Sequence, residues 1–187
     1  MNTLELIAAL LGALSVGLLV VRNVWAFPIG IVMVLLYTVV FYQAKYYADM
    51  CLQVAYVVMQ AQGWYEWTRG NRDTDDKIAV RRLVPTQWIW VLAALGGGTA
   101  SIGFALQRFT DASLPWLDAF TTSVSLVAQW CLNKKYLENW ALWIFVDVIY
   151  LYQYSYKGLY YTTALYAVFL GLAIAGFVAW RKALRMG

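Results

Sequence analysis

Seven apolar stretches, each about 20 residues long and so long enough to cross a bilayer as a helix, take up most of this chain. They run from Leu4 to Val21, Trp25 to Ala44, Tyr46 to Trp67, Trp88 to Phe109, Pro115 to Asn133, Leu137 to Tyr156 and Gly158 to Trp180. In lipid every backbone polar group must be satisfied inside its own segment, so open strands are excluded and the fold class is an all-α integral membrane bundle of seven transmembrane helices. Charged residues make up 13% of the chain and hydrophobic ones 63%, which lies outside the range of a soluble domain.

The basic residues sit between apolar stretches and orient the chain in the membrane, so the net charge of +4 points to no nucleic-acid partner. Cys51 and Cys131 form no CxxC pair, and the sequence has no histidine, so neither a metal site nor a disulfide framework is expected. No cofactor is expected either. The first stretch has no basic region before it and reads as a retained span.

Residues 68–87 form the one long polar stretch. Placing it inside puts Arg22, Lys134, Lys135, Arg181, Lys182 and Arg185 on the same side, leaving only Lys45, Arg108 and Lys157 outside. The positive-inside rule then predicts an external N-terminus and a cytoplasmic C-terminus. An offset of 113 residues lays Phe27, Gly30, Val34, Tyr37 and Phe41 on Trp140, Trp143, Asp147, Tyr150 and Tyr154, and carries Tyr47 to Tyr160 and Gln53 to Tyr166. The organisation predicted is a first three-helix repeat at 1–67, a cytoplasmic loop at 68–87, a linker helix at 88–112 and a second three-helix repeat at 113–187. An odd number of spans plus a linker makes the repeats parallel. The linker carries Gly96, Gly97, Gly98 and Gly103, small residues suited to close helix packing.

Trp140, Trp143, Asp147, Tyr150 and Tyr154 share one face of the sixth helix. A carboxylate at the middle of a membrane helix costs about 2.5–3.5 kcal/mol on insertion scales, so Asp147 is expected to face a polar cavity or a partner. Two further stripes accompany it: Asp49, Gln53, Tyr56 and Gln60 on the third span, and Asp118, Thr122, Ser125 and Gln129 on the fifth. Interhelical glue would account for each stripe alone, at about 0.6 kcal/mol per contact, but three together favour a wet cavity of ligand size. Paired aromatics beside a carboxylate suit a flat cationic ring, while Gln53, Gln129, Asn139, Tyr56 and Tyr150 offer groups for sugar hydroxyls or a carboxamide. Phe27 and Tyr37, which the 113-residue offset places opposite Trp140 and Tyr150, complete the candidate substrate-binding set. Trp25, Trp64, Trp67, Trp88 and Trp180 are expected in an interfacial belt, and Trp140 fits either the belt or the site.

The run WAFPIGIVMVLLYTVVFYQAKYYADMCLQVAYVVMQAQGWYEW, the segment WALWIFVD with its W-x-x-W, and YKGLYYTTALYAVFLGLA closely resemble the PnuC family of bacterial vitamin transporters. The resemblance covers about Val21 to Trp180. It implies a three-plus-one-plus-three fold like a full-length SWEET, a homotrimer in the inner membrane, and facilitated diffusion of a vitamin trapped by cytosolic phosphorylation. It also carries a substrate-stacking role onto Trp140 and Trp143. The family includes carriers of nicotinamide riboside, thiamine and riboflavin. Asp147 favours a cation, which the first two are and riboflavin is not.

From another class, an intramembrane enzyme would have to use Asp49, Asp118 or Asp147 as acids, without histidine and without a surrounding protease-like or phosphatase-like motif. No P-loop is present, so ATP hydrolysis is not expected. A retinal protein would need a lysine in the last span, and none lies between Gly158 and Trp180.

Overall fold

The structure, a computed structural model, describes residues 3–43, 47–69, 79–110, 114–156 and 160–186. Seven helices follow one another: α1 Thr3–Val20, α2 Ala26–Gln43, α3 Tyr47–Arg69, α4 Pro85–Phe109, α5 Pro115–Asn133, α6 Glu138–Tyr156 and α7 Tyr160–Met186. Lys45, Lys157 and the side chains of Phe41, Tyr47, Asp49 and Cys51 lie outside the described residues.

The helices match the seven expected stretches, with shifts at their ends. The fourth starts at Pro85 rather than Trp88, because proline is preset for the first helical position and Gln87 caps the start: its side chain accepts from the Val84 N–H at 3.0 Å while its own N–H bonds back to the Val84 carbonyl at 2.9 Å. The sixth starts at Glu138. The seventh runs on through Arg181, Lys182 and Arg185 to Met186.

Two of the helices, Pro85–Phe109 and Thr163–Met186, are long and apolar enough on their own to cross a bilayer, and shorter apolar helices cover Leu6–Val20 and Ala26–Val39. The other expected spans fall below that mark because they carry polar groups, and these polar groups point inward. Gln60, Thr121, Ser123, Ser125, Gln129, Asn133, Asn139, Asp147 and Gln153 are all buried, whereas Leu10, Val58, Trp90, Phe104 and Val148 are exposed on the outside. Polar inside and apolar outside is what a lipid solvent selects.

In sequence order α1 packs on α2 and α2 on α3, while α5 packs on α6 and α6 on α7. Two crossed contacts, α3 with α5 and α1 with α7, join these groups. Among the described residues the α4 helix packs on α5 alone. There Gly98 sits against Ser123 and Gly103 against the Trp116 ring, where a Cβ would stand 2.9 Å and 2.5 Å away, whereas Gly96 and Gly97 face open space. Of the small-residue run, only part serves packing.

The turns after α1 and α5 are built alike. Arg22 and Lys135, 113 residues apart, are the two described non-glycine residues with positive φ, at 59° and 66°. Each closes a helix end in the left-handed conformation: Arg22 N–H bonds to Leu19 O at 3.0 Å and Asn23 N–H to Leu18 O at 2.9 Å, while Lys135 N–H bonds to Leu132 O and Tyr136 N–H to Cys131 O, both at 2.9 Å. At the start of the next helix, Phe27 N–H reaches Val24 O and Trp140 N–H reaches Leu137 O, both at 3.2 Å. All these equivalences carry the same 113-residue offset.

The second turn is strapped by the segment before α4. Arg81 N–H bonds to Lys135 O and Leu137 N–H to Arg81 O, both at 2.9 Å, and Leu83 N–H reaches a Glu138 carboxylate oxygen at 3.1 Å. Gln87 Nε2 donates to the Tyr136 hydroxyl at 2.8 Å, and Leu83 is buried with Val91, Val127 and Cys131. Lys134 pairs with Glu66 at 2.8 Å. Burial, with the Arg81 guanidinium adding to it, pushes the Lys135 ammonium below its ordinary range against the pull of Glu66.

The placement of two tryptophans corrects the sequence reading. Trp67 and Trp180, expected in the interfacial belt, are buried, and so is Trp140. Their indole N–H groups explain the first two: Trp67 donates to Asn133 O and Trp180 to Leu19 O, each at 3.1 Å, so burial leaves no donor unsatisfied there. Trp25, Trp64 and Trp88 are exposed as expected of a belt.

Candidate functional site

The candidate residues fall into three layers along the bundle. The first is an aromatic layer at the end bearing the α1–α2 and α5–α6 turns. Phe27 and Trp140 lie here with Trp67, Trp180, Leu19 and Leu132 in one apolar cluster, and Trp143 is half-buried against it. Trp140 fills the space over Gly176 and stands edge-on to Trp180 at 5.5 Å. Its ring therefore packs into protein in this conformation, and Trp143 is the tryptophan of the pair that keeps exposed surface. The Trp140 Nε1 and the neighbouring Asn139 Oδ1 are buried without a hydrogen-bond partner, while Asn139 Nδ2 donates to Tyr136 O at 2.6 Å.

The second layer is amide-rich. Gln129 Nε2 donates to Asn133 Oδ1 at 3.0 Å, and Asn133 Nδ2 donates to Met59 O at 2.8 Å, bridging α5 to α3. Gln60 lies against Gly30 and Ser15, and its Oε1 is buried and unpartnered. A buried amide oxygen with no donor is costly, of the order of 1–3 kcal/mol, and retains its full capacity for an incoming donor.

The third layer holds the carboxylate. Asp147 is 4% exposed, and its electrostatic neighbours are the Tyr150 and Tyr166 phenols. No basic side chain among the described residues pairs with it. Tyr150 reaches the Thr121 and Ser125 hydroxyls of α5, and Tyr56 reaches Ser125 from α3. Tyr150, Tyr154 and Tyr166 close a ring triangle with centroids 4.9 to 5.7 Å apart. Aromatic faces, hydroxyls and one uncompensated carboxylate thus converge from α3, α5, α6 and α7.

Tyr56, Tyr150 and Asp147 are brought together as the sequence suggests, and Gln129 lies beside them through the α5 face. Gln53 and Tyr37 are half-buried on α3 and α2. Phe27 belongs to the aromatic layer. The buried stripe of α5 is Thr121, Ser125, Gln129 and Asn133, at spacings of four, so Thr121 replaces the expected Thr122, which is half-buried with Asp118. Sequence reasoning also missed Asn133 and Tyr166. The regular four-residue spacing would have found Asn133. The 113-residue offset from Gln53 did mark position 166, but only as a trace of duplication.

A cleft of about 370 Å³ between α4 and α5, lined by Trp90, Val91, Gly98, Ser123, Val127 and Trp130 among others, is apolar and opens on the outer surface. It includes none of the carboxylate or amide groups and is not the candidate site.

Residues 2–182 match the model of a family described as nicotinamide mononucleotide transporter. The chain is 23% identical over 209 residues to the nicotinamide riboside transporter PnuC of Escherichia coli strain K12, an alignment covering 99% of this chain and 87% of that protein. It is 32% identical over 148 residues to the nicotinamide riboside transporter PnuC of Neisseria mucosa, covering 76% of this chain and 56% of that one. The riboflavin/roseoflavin transporter RibM of Streptomyces davaonensis is 23% identical over 178 residues, covering 94% and 83%. A crystal structure of the vitamin B3 transporter PnuC superposes with a TM-score of 0.79 and 28% identity, covering 98% of this chain and 82% of that one.

Proposed function

Since this chain belongs to the nicotinamide mononucleotide transporter family, we propose that it carries nicotinamide riboside by facilitated diffusion, the vitamin being trapped in the cytosol by phosphorylation. Membership makes it a multi-pass vitamin transporter of the inner membrane. Asp147 carries the choice of substrate. Its carboxylate is buried among phenols with no basic partner among the described residues, and a pyridinium ring entering beside it supplies a countercharge in a low-dielectric setting. Trp143 and, once the aromatic layer loosens, Trp140 offer ring faces; Asn139, Gln60, Gln129, Tyr56 and Tyr150 offer hydrogen bonds to a carboxamide and to ribose hydroxyls. Thiamine is the second reading, because its thiazolium is also a cation. Riboflavin, which the name of one relative points to, is neutral and gains nothing from the carboxylate.

The repeat organisation is part of the same proposal: triplets at 1–67 and 113–187 joined by the loop 68–87 and the linker helix 88–112, as in a three-plus-one-plus-three bundle of the SWEET type. Matching turns at Arg22 and Lys135, and crossed contacts that pair α3 with α5 and α7 with α1, support it. We further propose an external N-terminus, a cytoplasmic C-terminus and a homotrimeric assembly, the last open to test by the mass of the detergent-solubilised particle.

Titrating the purified protein with nicotinamide riboside, thiamine and riboflavin tests the substrate. Binding of nicotinamide riboside at least tenfold tighter than the other two is the expected outcome. Preference for riboflavin would remove the counter-ion role from Asp147.

A further inference from the structure

Two indoles tie the triplets together reciprocally. Trp67, on α3, donates to the Asn133 carbonyl at the end of α5, and Trp180, on α7, donates to the Leu19 carbonyl at the end of α1, each at 3.1 Å. Both acceptors lie in the last turn of a helix, where carbonyls are free of the regular intrahelical bond, and the Leu19 carbonyl accepts from the Arg22 N–H as well as from the indole. The two rings meet each other at 5.9 Å; Phe27 stands edge-on to Trp67 at 4.9 Å and Trp140 edge-on to Trp180 at 5.5 Å. Gly63 and Gly176 make the room, since a side chain at Gly63 would enter the Phe27 ring and one at Gly176 the Trp140 ring. Trp67 and Trp180, Phe27 and Trp140, and Gly63 and Gly176 are pairs at the 113-residue offset, while the two acceptor carbonyls, Leu19 and Asn133, miss it by one residue.

The layer lies outboard of the site. On α3 it sits two turns beyond Gln60, and on α6 two turns before Asp147, at the end where the α1–α2 and α5–α6 turns close the bundle. All four rings are 3% exposed or less. We infer that this aromatic layer is the barrier between the candidate site and that face, and that Trp67 and Trp180 are its positioning residues. A route from Asp147 to the turn face then opens only when both indole–carbonyl bonds break and the triplets part, a two-state repacking rather than a gradual widening. In the proposed orientation that face is cytosolic. The inference rests on reading the chain as a transporter, but not on the identity of the vitamin.

The test is sided thiol labelling in membrane vesicles of the full chain with Cys51→Ser and Cys131→Ala, with Gln60→Cys as the reporter and Arg181→Cys as the exposed control. A charged, membrane-impermeant methanethiosulfonate applied from the turn face should react with the reporter far more slowly than with the control. Trp67→Phe and Trp180→Phe keep a ring and delete the donor; each should speed that reaction roughly three- to tenfold, the worth of about one hydrogen bond, with no acceleration from the opposite face. Unchanged rates in both variants would overturn the inference, as would an equal rise from both faces, which marks a loosened core. If a Phe variant does not fold, the reporter with its plug unaltered decides alone: reaction from the turn face as fast as at Arg181→Cys overturns the barrier. Because no vitamin enters this experiment, its outcome is independent of the substrate titration.

Discussion

Gly176 and Trp140 are in direct packing contact: a Cβ on Gly176 would stand 2.5 Å from Cε2 of the Trp140 ring. The ring is buried on its other sides, so it has no open space to retreat into. Gly176→Ala should therefore lower the thermal unfolding midpoint in detergent, with a loss of the order of 1–3 kcal/mol as for other overpacked cores. Gly171→Ala, on the same helix but facing open space, is the control and should leave the midpoint unchanged or raise it.

Trp143→Ala should weaken binding of nicotinamide riboside with little loss of stability, because this indole only leans on the aromatic layer and keeps exposed surface. A base-like ring stacked on an aromatic is worth about 1–3 kcal/mol, or roughly five- to 150-fold in Kd. Calorimetric titration of the folded variant checks this; wild-type affinity would leave Trp143 a packing residue.

The seven helices and the inward polar faces were legible in the sequence because lipid imposes one rule on every helix: polar groups must turn away from it. The inner positions of Asp147, Tyr56, Ser125 and Gln129 follow from that rule and from helical spacing alone. Trp67 and Trp180 were misplaced because composition and position fit an interfacial belt equally well, and only the tertiary partners, Asn133 O and Leu19 O, reveal burial. The left-handed turns at Arg22 and Lys135 were invisible in residue type, since neither position holds the glycine or asparagine that usually signals such a cap. Thr121 was missed in favour of Thr122 because the stripe was drawn with a mixed three- and four-residue spacing, one position off the face that α3 and α6 cover.

Uptake should be downhill. The chain has no P-loop and no histidine relay, so in proteoliposomes labelled nicotinamide riboside is expected to equilibrate and not to exceed its external concentration. Accumulation that collapses on adding a protonophore would recast Asp147 as a proton carrier.

The proposed orientation rests on the basic residues. A reporter fused after Gly187 should be active only when it folds in the cytoplasm, because Arg181, Lys182 and Arg185 prolong α7 on the same side as Lys134, Lys135 and Arg22. Activity of a periplasm-dependent reporter at that position would contradict the proposed topology.

The central claim is that one buried carboxylate selects a cationic ring. Asp147→Asn keeps the shape and removes the charge, so the measurement is Kd of wild type and Asp147→Asn for nicotinamide riboside and for its neutral reduced form. Attraction between a buried carboxylate and a ring cation at about 4 Å is about 4 kcal/mol at an effective dielectric of 20, before desolvation offsets part of it. The account therefore predicts a loss of roughly tenfold or more for the cation and little change for the neutral riboside. An equal loss for both ligands would contradict it, making Asp147 a structural partner of the Tyr150 and Tyr166 phenols and leaving recognition to the aromatic rings.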